Sequence, residues 1–331
     1  MHNHITAKLT ASITAIGGYV PEKILTNDDL ERLVDTNDEW ITTRTGMKER
    51  RITSEQEFTS DMCVRAAEDM IARYHCDLSD VDMILVSTST PDYAFPSTAA
   101  LLQDRLNLPQ VGAIDLNATC AGFTYAIHMA AGLITSGLHH KIIVFAAETL
   151  SKVTNYEDRS TCILFGDGAG AALVEYTDEP GIFGSYLYSN GGGAKHVYRS
   201  GLSNTLAGEK MEFDGLIYQN GREVYKWAVT TVPEGMSKLL DQTGFKMDDV
   251  SWFVPHSANL RMIESICEKS GMPFDKTLYS LEYYGNTSAA TIPLSILKGL
   301  DDGKVKDGDL MMLYGFGGGL VQAALMIRWK G

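Results

Sequence analysis

The hydrophobic residues of this chain fall into short runs separated by longer segments of mixed character. Apolar runs of about strand length occur at 81–90, 141–147 and 171–176, and such runs are typical of buried strands. The segments 60–75 and 120–137, the latter rich in Ala, Leu, Ile and Met, are predicted helices. Strands that alternate with helices predict an α/β protein with a largely parallel sheet.

The chain also contains a weak internal repeat. Three segments match later segments in order at one offset of 169 residues: 80–86 with 249–255, 117–121 with 286–290, and 142–145 with 311–314. Nearer the end the offset shrinks to 152, where 171–176 matches 323–328. This order predicts a duplicated α/β unit, with an insertion around 149–165 in the first copy. We therefore expect two similar halves, 1–176 and 177–331, packed about a pseudo-twofold axis.

Composition excludes several classes of function. The 331 residues are 44% hydrophobic and 21% charged, which is typical of a folded globular chain of about two domains. With 28 Lys and Arg against 42 Asp and Glu, the net charge of −14 disfavours binding to nucleic acid as the main activity. The start of the chain does not resemble a signal peptide, and no apolar run approaches the roughly 18 residues of a membrane span.

Cys120 is the strongest candidate nucleophile among the five cysteines. It follows a predicted strand at 112–116 and opens a helix beside the small residues Ala121 and Gly122. Backbone N–H groups and the positive helix end stabilise a thiolate there, and a thiolate is a strong nucleophile for acyl transfer. A buried structural cysteine is the alternative for Cys120. Packing is the better account of the other four, Cys63, Cys76, Cys162 and Cys267.

Two polar residues of the second half are candidates to act with Cys120. His256 follows an apolar strand and precedes a predicted helix, where α/β folds place catalytic groups; a hydrogen-bonded loop histidine is the alternative. Asn286 lies in GNTS, which by itself is ordinary turn and N-cap sequence. The repeat, however, places Asn286 level with the Cys120 loop. A pseudo-twofold axis would bring both loops and His256 toward one central site.

Two glycine clusters do not match nucleotide-binding loops. GDGAGA (166–171) is not GxGxxG and precedes a strand, so we interpret it as a tight turn between strands. GFGGG (315–319) lacks a Walker lysine, and its glycines permit close backbone approach to a ligand or to the cysteine. Because His and carboxylates never recur at ligand spacing, no metal site is expected.

These motifs together resemble the β-ketoacyl-(acyl carrier protein) synthase III family, the condensing enzymes that start bacterial fatty-acid synthesis. The resemblance runs nearly end to end and is closest to the Bacillus-type enzymes. It is carried by VDTNDEWITTRTGMKERRI (34–52), AFPSTA (94–99), NATCAGFTYA (117–126), DRSTCILFGDGAGAALVE (158–175), VPHSANLRMI (254–263), YGNTSAAT (284–291) and GFGGG (315–319). It implies a thiolase-like α/β fold, two similar βαβαβαββ-type halves in an αβαβα five-layered arrangement, usually as a homodimer.

The resemblance also implies the roles of the catalytic residues. Cys120 would take a short acyl group, acetyl or branched-chain, from acyl-CoA. A neutral His256 and Asn286 would hydrogen-bond the thioester carbonyl of malonyl-carrier protein and stabilise the enolate formed when CO₂ leaves, and that carbanion would attack the acyl-Cys120 carbonyl. Backbone N–H groups of Cys120 and Gly318 would form the oxyanion hole, a device worth roughly 2.7–4 kcal/mol per donor.

By the same resemblance, the substrates would contact residues on both halves. Trp40 and Arg159 would sandwich the adenine of CoA, with Thr36 and Arg44 nearby. The acyl pocket would be lined by Tyr225 and by Phe95, the latter reaching across the dimer. The carrier protein would contact Ser257, Ala258, Asn259, Leu260 and Arg261, supported by Lys226 and Lys269. Ser257 stands where glutamine is frequent in the family, so the detail of this contact departs from the family pattern.

The implied function is β-ketoacyl-carrier protein synthesis from acyl-CoA and malonyl-carrier protein, with release of CoA and CO₂. CoA thioester is then a substrate, and no metal or nucleotide cofactor, nucleic acid or membrane is expected. The odd number of cysteines without CxxC spacing favours the cytoplasm. Two alternatives remain: a CoA-only type III polyketide synthase-like enzyme, whose chains usually run longer and lack ANLR, and a non-catalytic acyl-CoA sensor, against which the intact Cys120, His256 and Asn286 argue.

Overall fold

The protein is described here by a computed structural model of residues 9–331, so the start of the chain, where no signal peptide is expected, lies partly outside the described residues. The strands are β1 (Ala11–Tyr19), β2 (Lys23–Thr26), β3 (Glu49–Ile52), β4 (Met83–Ser87), β5 (Gly112–Leu116), β6 (Lys141–Glu148), β7 (Gly168–Tyr176), β8 (Ile182–Ser189), β9 (Val197–Arg199), β10 (Thr205–Leu206), β11 (Glu209–Lys210), β12 (Ile217–Gln219), β13 (Trp252–Pro255), β14 (Leu310–Gly317) and β15 (Val321–Arg328). The α-helices are α1 (Asn27–Glu31), α2 (Asp38–Thr45), α3 (Thr59–Tyr74), α4 (Thr98–Arg105), α5 (Gly122–Thr135), α6 (Gly221–Thr243), α7 (Leu260–Ser270), α8 (Leu281–Tyr284) and α9 (Thr291–Asp301).

Two mixed sheets and three helical layers build the molecule. The first sheet has the order β1-β7-β6-β4-β5 and the second the order β13-β14-β15-β8. The apolar helices α5 and α9 lie between the sheets and share one core with both. Helices α3 and α4 cover the outer face of the first sheet, and α6 and α7 cover that of the second. The thiolase-like fold with five αβαβα layers is therefore confirmed.

The repeat found in the sequence relates these layers. Strand β13, helix α9 and strand β14 begin 169 residues after β4, α5 and β6, and β15 ends 152 residues after β7. The insertion also falls where expected, because 149–167 joins β6 to β7 whereas only 318–320 join β14 to β15. The division of the chain at residue 176 stays a prediction.

One local prediction was wrong. GDGAGA is not a turn between strands, because Gly168–Ala171 belong to β7, where all four residues pair with β6 and the last three also pair with β1. The small residues are needed for close packing against α9, because a Cβ at Gly170 would clash with the Cγ of Pro293. The glycines thus serve the contact between the halves.

Candidate active site

A cavity of about 890 Å³ lies between the two halves. Trp40 and Arg44 line one part of it, and Cys120, His256 and Asn286 line another. The two halves therefore bring the three predicted catalytic residues together, as the repeat and the pseudo-twofold axis indicate. A cavity of this size accommodates an extended small-molecule substrate.

Cys120 lies in a short 3₁₀ turn, Thr119–Ala121, that leads into α5. The preceding Thr119 has φ 46°, in the left-handed region, and its hydroxyl donates to the Gly318 carbonyl oxygen at 2.8 Å. Ser288, its counterpart in the repeat, also lies in the left-handed region with φ 53°. Such strain in residues with side chains is typical of functional sites, and here it occurs at the same position in both halves.

The GFGGG segment approaches the cysteine closely, as the sequence suggests. A Cβ at Gly317 would lie 2.7 Å from the Cβ of Cys120 and 2.8 Å from its Sγ. Any side chain at that position would displace the thiol. The backbone N–H groups of Cys120 and Gly318 lie against the same sulfur, so the two expected donors stand side by side.

The expectation that the helix start lowers the thiol pKa was wrong. Burial raises the pKa of Cys120 to about 11, and the Glu148 carboxylate acts in the same direction. The Ser288 hydroxyl, 3.5 Å from Sγ, and the two N–H groups favour the thiolate but do not compensate. The removal of solvent at the base of the cavity raises the thiol pKa more than the local dipoles lower it. To become a thiolate, Cys120 therefore needs a proton acceptor.

His256 lies directly after β13 and is 2% exposed. Burial lowers the pKa of its imidazole to about 3, which supports the expected neutral ring. Its Nδ1 lies 2.8 Å from the Thr291 hydroxyl, which lies equally close to the Ser288 carbonyl oxygen. Because that hydroxyl has one hydrogen, its orientation sets the tautomer. Nε2 is left for the cavity.

Asn286 is held by the segment inserted in the first half. Its N–H donates to the Leu164 carbonyl at 2.8 Å, and its own carbonyl accepts from Gly166 at 3.1 Å. Its side-chain Oδ1 accepts from the Ser288 N–H at 2.9 Å. This contact fixes the orientation of the amide, so that its Nδ2 is the group available to a substrate.

The four predicted CoA contacts lie together around α2. The guanidinium of Arg44 lies 5.0 Å from the Trp40 ring centre and that of Arg159 lies 5.6 Å from it. Thr36 has a buried hydroxyl without a hydrogen-bond partner among the described residues. Arg159 also donates to the Asp35 carbonyl at 3.0 Å. Since the guanidinium is in contact with the indole, a purine would fit between them only after Arg159 swings away.

The two predicted acyl-pocket residues occupy different surroundings. Tyr225 lines the cavity, and its hydroxyl lies 2.7 Å from that of Ser265, which ties α6 to α7. Phe95 is 86% exposed and does not line the cavity of its own chain. Its predicted contact would therefore have to be made in a second copy.

The predicted carrier-protein segment divides into buried and exposed residues. The assignment of Ser257 as a surface contact was wrong, because it is 0% exposed and its Oγ lies against Ser295 and accepts from the Ser280 N–H. Asn259 caps α7, and the half-buried Ala258 and Leu260 pack beside it. The exposed cations are Arg261 and Lys269 on α7 and Lys226 on the adjoining α6.

Sequence reasoning missed Ser288, Thr291 and Glu148, which contact the predicted triad or each other. For Ser288 the signal was its match to Thr119 at the repeat offset. For Glu148 it was a lone carboxylate ending the apolar strand KIIVFAAE. Thr291 lies in TSAAT, whose hydroxyl residues gave no specific signal.

The part of the chain that the structure describes has no group of three His, Cys, Asp or Glu residues arranged to hold a metal ion. Within the same residues, no helix is both long and apolar enough to cross a bilayer. A thiol, a neutral imidazole and an amide that face one cavity in a thiolase-like fold define an acyltransferase of the condensing class.

Comparison with known proteins supports this assignment to the condensing acyltransferases. The model of the 3-oxoacyl-[acyl-carrier-protein] synthase III family matches 114–191, and that of its C-terminal region matches 240–329. The chain is 60% identical over 320 residues to β-ketoacyl-[acyl-carrier-protein] synthase III 2 of Halalkalibacterium halodurans, covering 96% of each chain. It is 56% identical over 320 residues to the protein of that name from Bacillus subtilis, covering 96% of this chain and 98% of that protein.

Solved structures give the same result. The β-ketoacyl-[acyl carrier protein] synthase III from Thermus thermophilus superposes with a TM-score of 0.93 at 42% identity, covering 97% of this chain and 99% of the other. The 3-oxoacyl-[acyl-carrier-protein] synthase III from Aquifex aeolicus superposes with a TM-score of 0.90 at 40% identity, covering 96% of this chain and 100% of the other. This chain belongs to the 3-oxoacyl-[acyl-carrier-protein] synthase III family. Neither the type III polyketide synthase-like reading nor the sensor reading is favoured.

Proposed function

We propose that this enzyme transfers a short acyl group from acyl-CoA to Cys120 and then condenses it with malonyl-carrier protein, releasing CoA and CO₂. The single observation that carries the proposal is the convergence of Cys120, His256 and Asn286 on one cavity that also contains Trp40 and Arg44. CoA thioester is a substrate in this scheme, and each step uses side chains or backbone groups of the chain itself.

In the first half-reaction, Cys120 Sγ attacks the thioester carbonyl of acyl-CoA. The N–H groups of Cys120 and Gly318 lie against Sγ, where they are placed to stabilise the oxyanion of the tetrahedral intermediate. The adenine would bind Trp40 after Arg159 swings out. That movement costs little, since Arg159 is half exposed and its ion pair is with the fully exposed Asp35.

In the second half-reaction, the malonyl thioester carbonyl lies between Asn286 Nδ2 and His256 Nε2. Both groups donate to the developing enolate oxygen when CO₂ leaves, and the carbanion then attacks the acyl-Cys120 carbonyl. The bond from that carbonyl to Cys120 Sγ breaks, and the thiolate released takes up a proton from solvent. For His256 to donate from Nε2, the Thr291 hydroxyl must turn from the Ser288 carbonyl oxygen, to which it donates at 2.8 Å, and give its hydrogen to Nδ1. Two neutral donors suit this step, because a charged donor in this buried site would be costly to desolvate.

The proposal includes a homodimer in the cytoplasm. Strand β5 lies at the edge of its sheet, and the nearby Phe95, Tyr93 and Ile114 are 86%, 60% and 47% exposed. An unpaired edge beside exposed apolar side chains favours association with a second copy, which would receive Phe95 at its acyl pocket. The five free cysteines suit a reducing compartment.

The function is tested by following both half-reactions in the unaltered protein. We expect intact-mass analysis to detect one acyl group per chain after incubation with short acyl-CoA thioesters. Addition of malonyl-carrier protein should then remove that acyl group and release one CO₂ per acyl group lost. Stable acylation without CO₂ release would indicate a sensor, and condensation with malonyl-CoA alone would indicate a CoA-only enzyme.

Docking of the carrier protein depends on local charge in this proposal. An acidic carrier protein gains no long-range attraction from a chain of net charge −14, so the contact requires a local basic patch. Arg261 is exposed, lies at the start of α7 and lines the cavity. A carrier bound there could extend its phosphopantetheine arm to the catalytic residues.

We expect Arg261→Glu to raise the KM for malonyl-carrier protein, steeply at low salt and less at high salt because ions screen the contact. Acylation by acyl-CoA should stay nearly unchanged. Steady-state kinetics with each substrate varied at two salt concentrations measures this. Lys306→Glu, which alters an exposed cation away from α6 and α7, is the matched control. Equal loss of both half-reactions would instead indicate a structural role for Arg261.

A further inference from the structure

A buried carboxylate lies behind the catalytic thiol. Glu148 ends β6 and is 0% exposed, and the half-reactions described above do not use it. Its counterpart at the repeat offset in the second half is Gly317, so symmetry of the fold does not require a carboxylate there. An acidic side chain buried without a cation is costly, and a buried acid beside a nucleophile is a candidate functional group.

Hydrogen-bond donors surround this carboxylate. Its Oε1 accepts from the Ser89 hydroxyl at 2.7 Å and from the Ser89 N–H at 3.0 Å. Its Oε2 accepts from Thr90 Oγ1 at 2.6 Å. Thr90 Oγ1 itself accepts from the Thr149 N–H, which leaves its hydrogen available to Glu148. These fixed donors stabilise the ionised carboxylate, while burial raises its pKa above the ordinary value of a glutamate.

The Ser288 hydroxyl connects the carboxylate to the nucleophile. Ser288 Oγ lies 3.4 Å from Glu148 Oε1 and 3.5 Å from Cys120 Sγ. One hydroxyl between an acid and a thiol can accept a proton from one and donate its own to the other. His256 is a poor acceptor for this proton, since burial lowers its pKa to about 3.

We propose that Glu148 is the base that takes the proton of Cys120, with Ser288 as the relay. The S–H bond breaks as Ser288 Oγ accepts that proton, while the Ser288 O–H proton passes to Glu148 Oε1. The thiolate then attacks the acyl-CoA carbonyl. When the C–S bond to CoA breaks, the proton returns by the same route and leaves as the thiol of CoA. This inference rests on the proposed function and adds its proton acceptor.

Transfer of the proton from Cys120 to Glu148 predicts a particular pH dependence of acylation. The other ionisable groups facing it are the neutral His256 and Cys63 of α3, a buried thiol whose pKa burial raises. Neither changes charge near neutral pH. The internal transfer from Cys120 to Glu148 releases no proton to solvent, so the acylation rate of the unaltered enzyme should vary little around neutral pH.

The experiment is single-turnover acylation by acetyl-CoA, followed by rapid quenching and intact-mass analysis from about pH 6 to about pH 9. We expect Glu148→Gln to slow acylation roughly 10²-fold at neutral pH, the lower end of the usual effect of a general base. The remaining rate should rise about tenfold per pH unit, since the thiol must now lose its proton to solvent. Ser288→Ala should show the same slow acylation and the same rise with pH. The double variant Glu148→Gln/Ser288→Ala should be no slower than either single variant, because both residues serve one relay.

Asp167→Asn is the matched control. Asp167 is also a fully buried carboxyl held by hydroxyl and N–H donors, from Ser151 and Thr53, but it does not contact the thiol. It should keep the flat pH profile even if it loses stability. If Glu148→Gln does not fold, Ser288→Ala with the same control decides the question.

A folded Glu148→Gln or Ser288→Ala variant with the normal rate and a flat profile would overturn the relay. A rising profile in Asp167→Asn as well would also overturn it, because the effect would then be general to buried carboxyl groups. Failure of the unaltered protein to acylate would refute the proposed function itself, which separates the two results.

Discussion

Replacing Cys120 with alanine is expected to abolish acylation by acyl-CoA and, with it, all condensation. No other thiol can substitute, because Cys120 is the cysteine that lines the cavity. Cys63, Cys162 and Cys267 are buried elsewhere, and burial raises the pKa of each. Intact-mass analysis after incubation with acetyl-CoA should therefore detect no added acetyl group, and peptide mapping of the unaltered protein should locate the label on Cys120.

The control is Cys76→Ala. Cys76 is half buried and is the other cysteine accessible enough to compete for an electrophile. This variant should be acylated fully by acetyl-CoA, with the label again on Cys120. Acyl transfer that persists in Cys120→Ala, or label that goes to Cys76 with loss of activity, would mean that the nucleophile lies elsewhere.

The sequence predicted how the halves combine because duplication constrains both copies. The offset of 169 residues relates β6 to β14 and α5 to α9, and it alone placed Asn286 level with Cys120. No local property of GNTS carries that information. The second half could therefore be located from the first, although the boundaries of single elements such as β7 could not.

The charge state of Cys120 could not be predicted in the same way. A position at a helix start is local and visible in the sequence, whereas the loss of solvent around Sγ depends on Gly317 and Ser288, which arrive from the other half. The loss of solvent is the stronger of the two effects, and it raises the thiol pKa. The burial of Ser257 depends likewise on residues distant in the sequence, Ser280 and Ser295 of the same half, so it was not visible in the local sequence.

Asn286→Ala is expected to separate the two half-reactions. Acylation of Cys120 should stay within a few-fold of normal, since in the proposed mechanism the amide binds the malonyl thioester in the second half-reaction. Decarboxylation should fall roughly 10²–10³-fold, the effect of removing one preorganised donor, or about 2.7–4 kcal/mol. Single-turnover acylation and release of labelled CO₂ from malonyl-carrier protein measure the two steps separately. His256→Ala should show the same separation, because its neutral ring is the other donor in the proposed mechanism.

Asn286→Asp makes the test sharper, because it keeps the shape of the side chain and replaces the Nδ2 donor with a carboxylate. The carboxylate repels the developing enolate, so CO₂ release should fall further than in Asn286→Ala. Asn27→Ala is the control: Asn27 is also buried, where it bonds to Arg50 and the Met47 carbonyl, and its loss should lower stability without changing the ratio of the half-reactions. If His256→Ala instead fails to acylate, His256 is the base for Cys120, and both the division of labour between the residues and the relay through Ser288 are wrong.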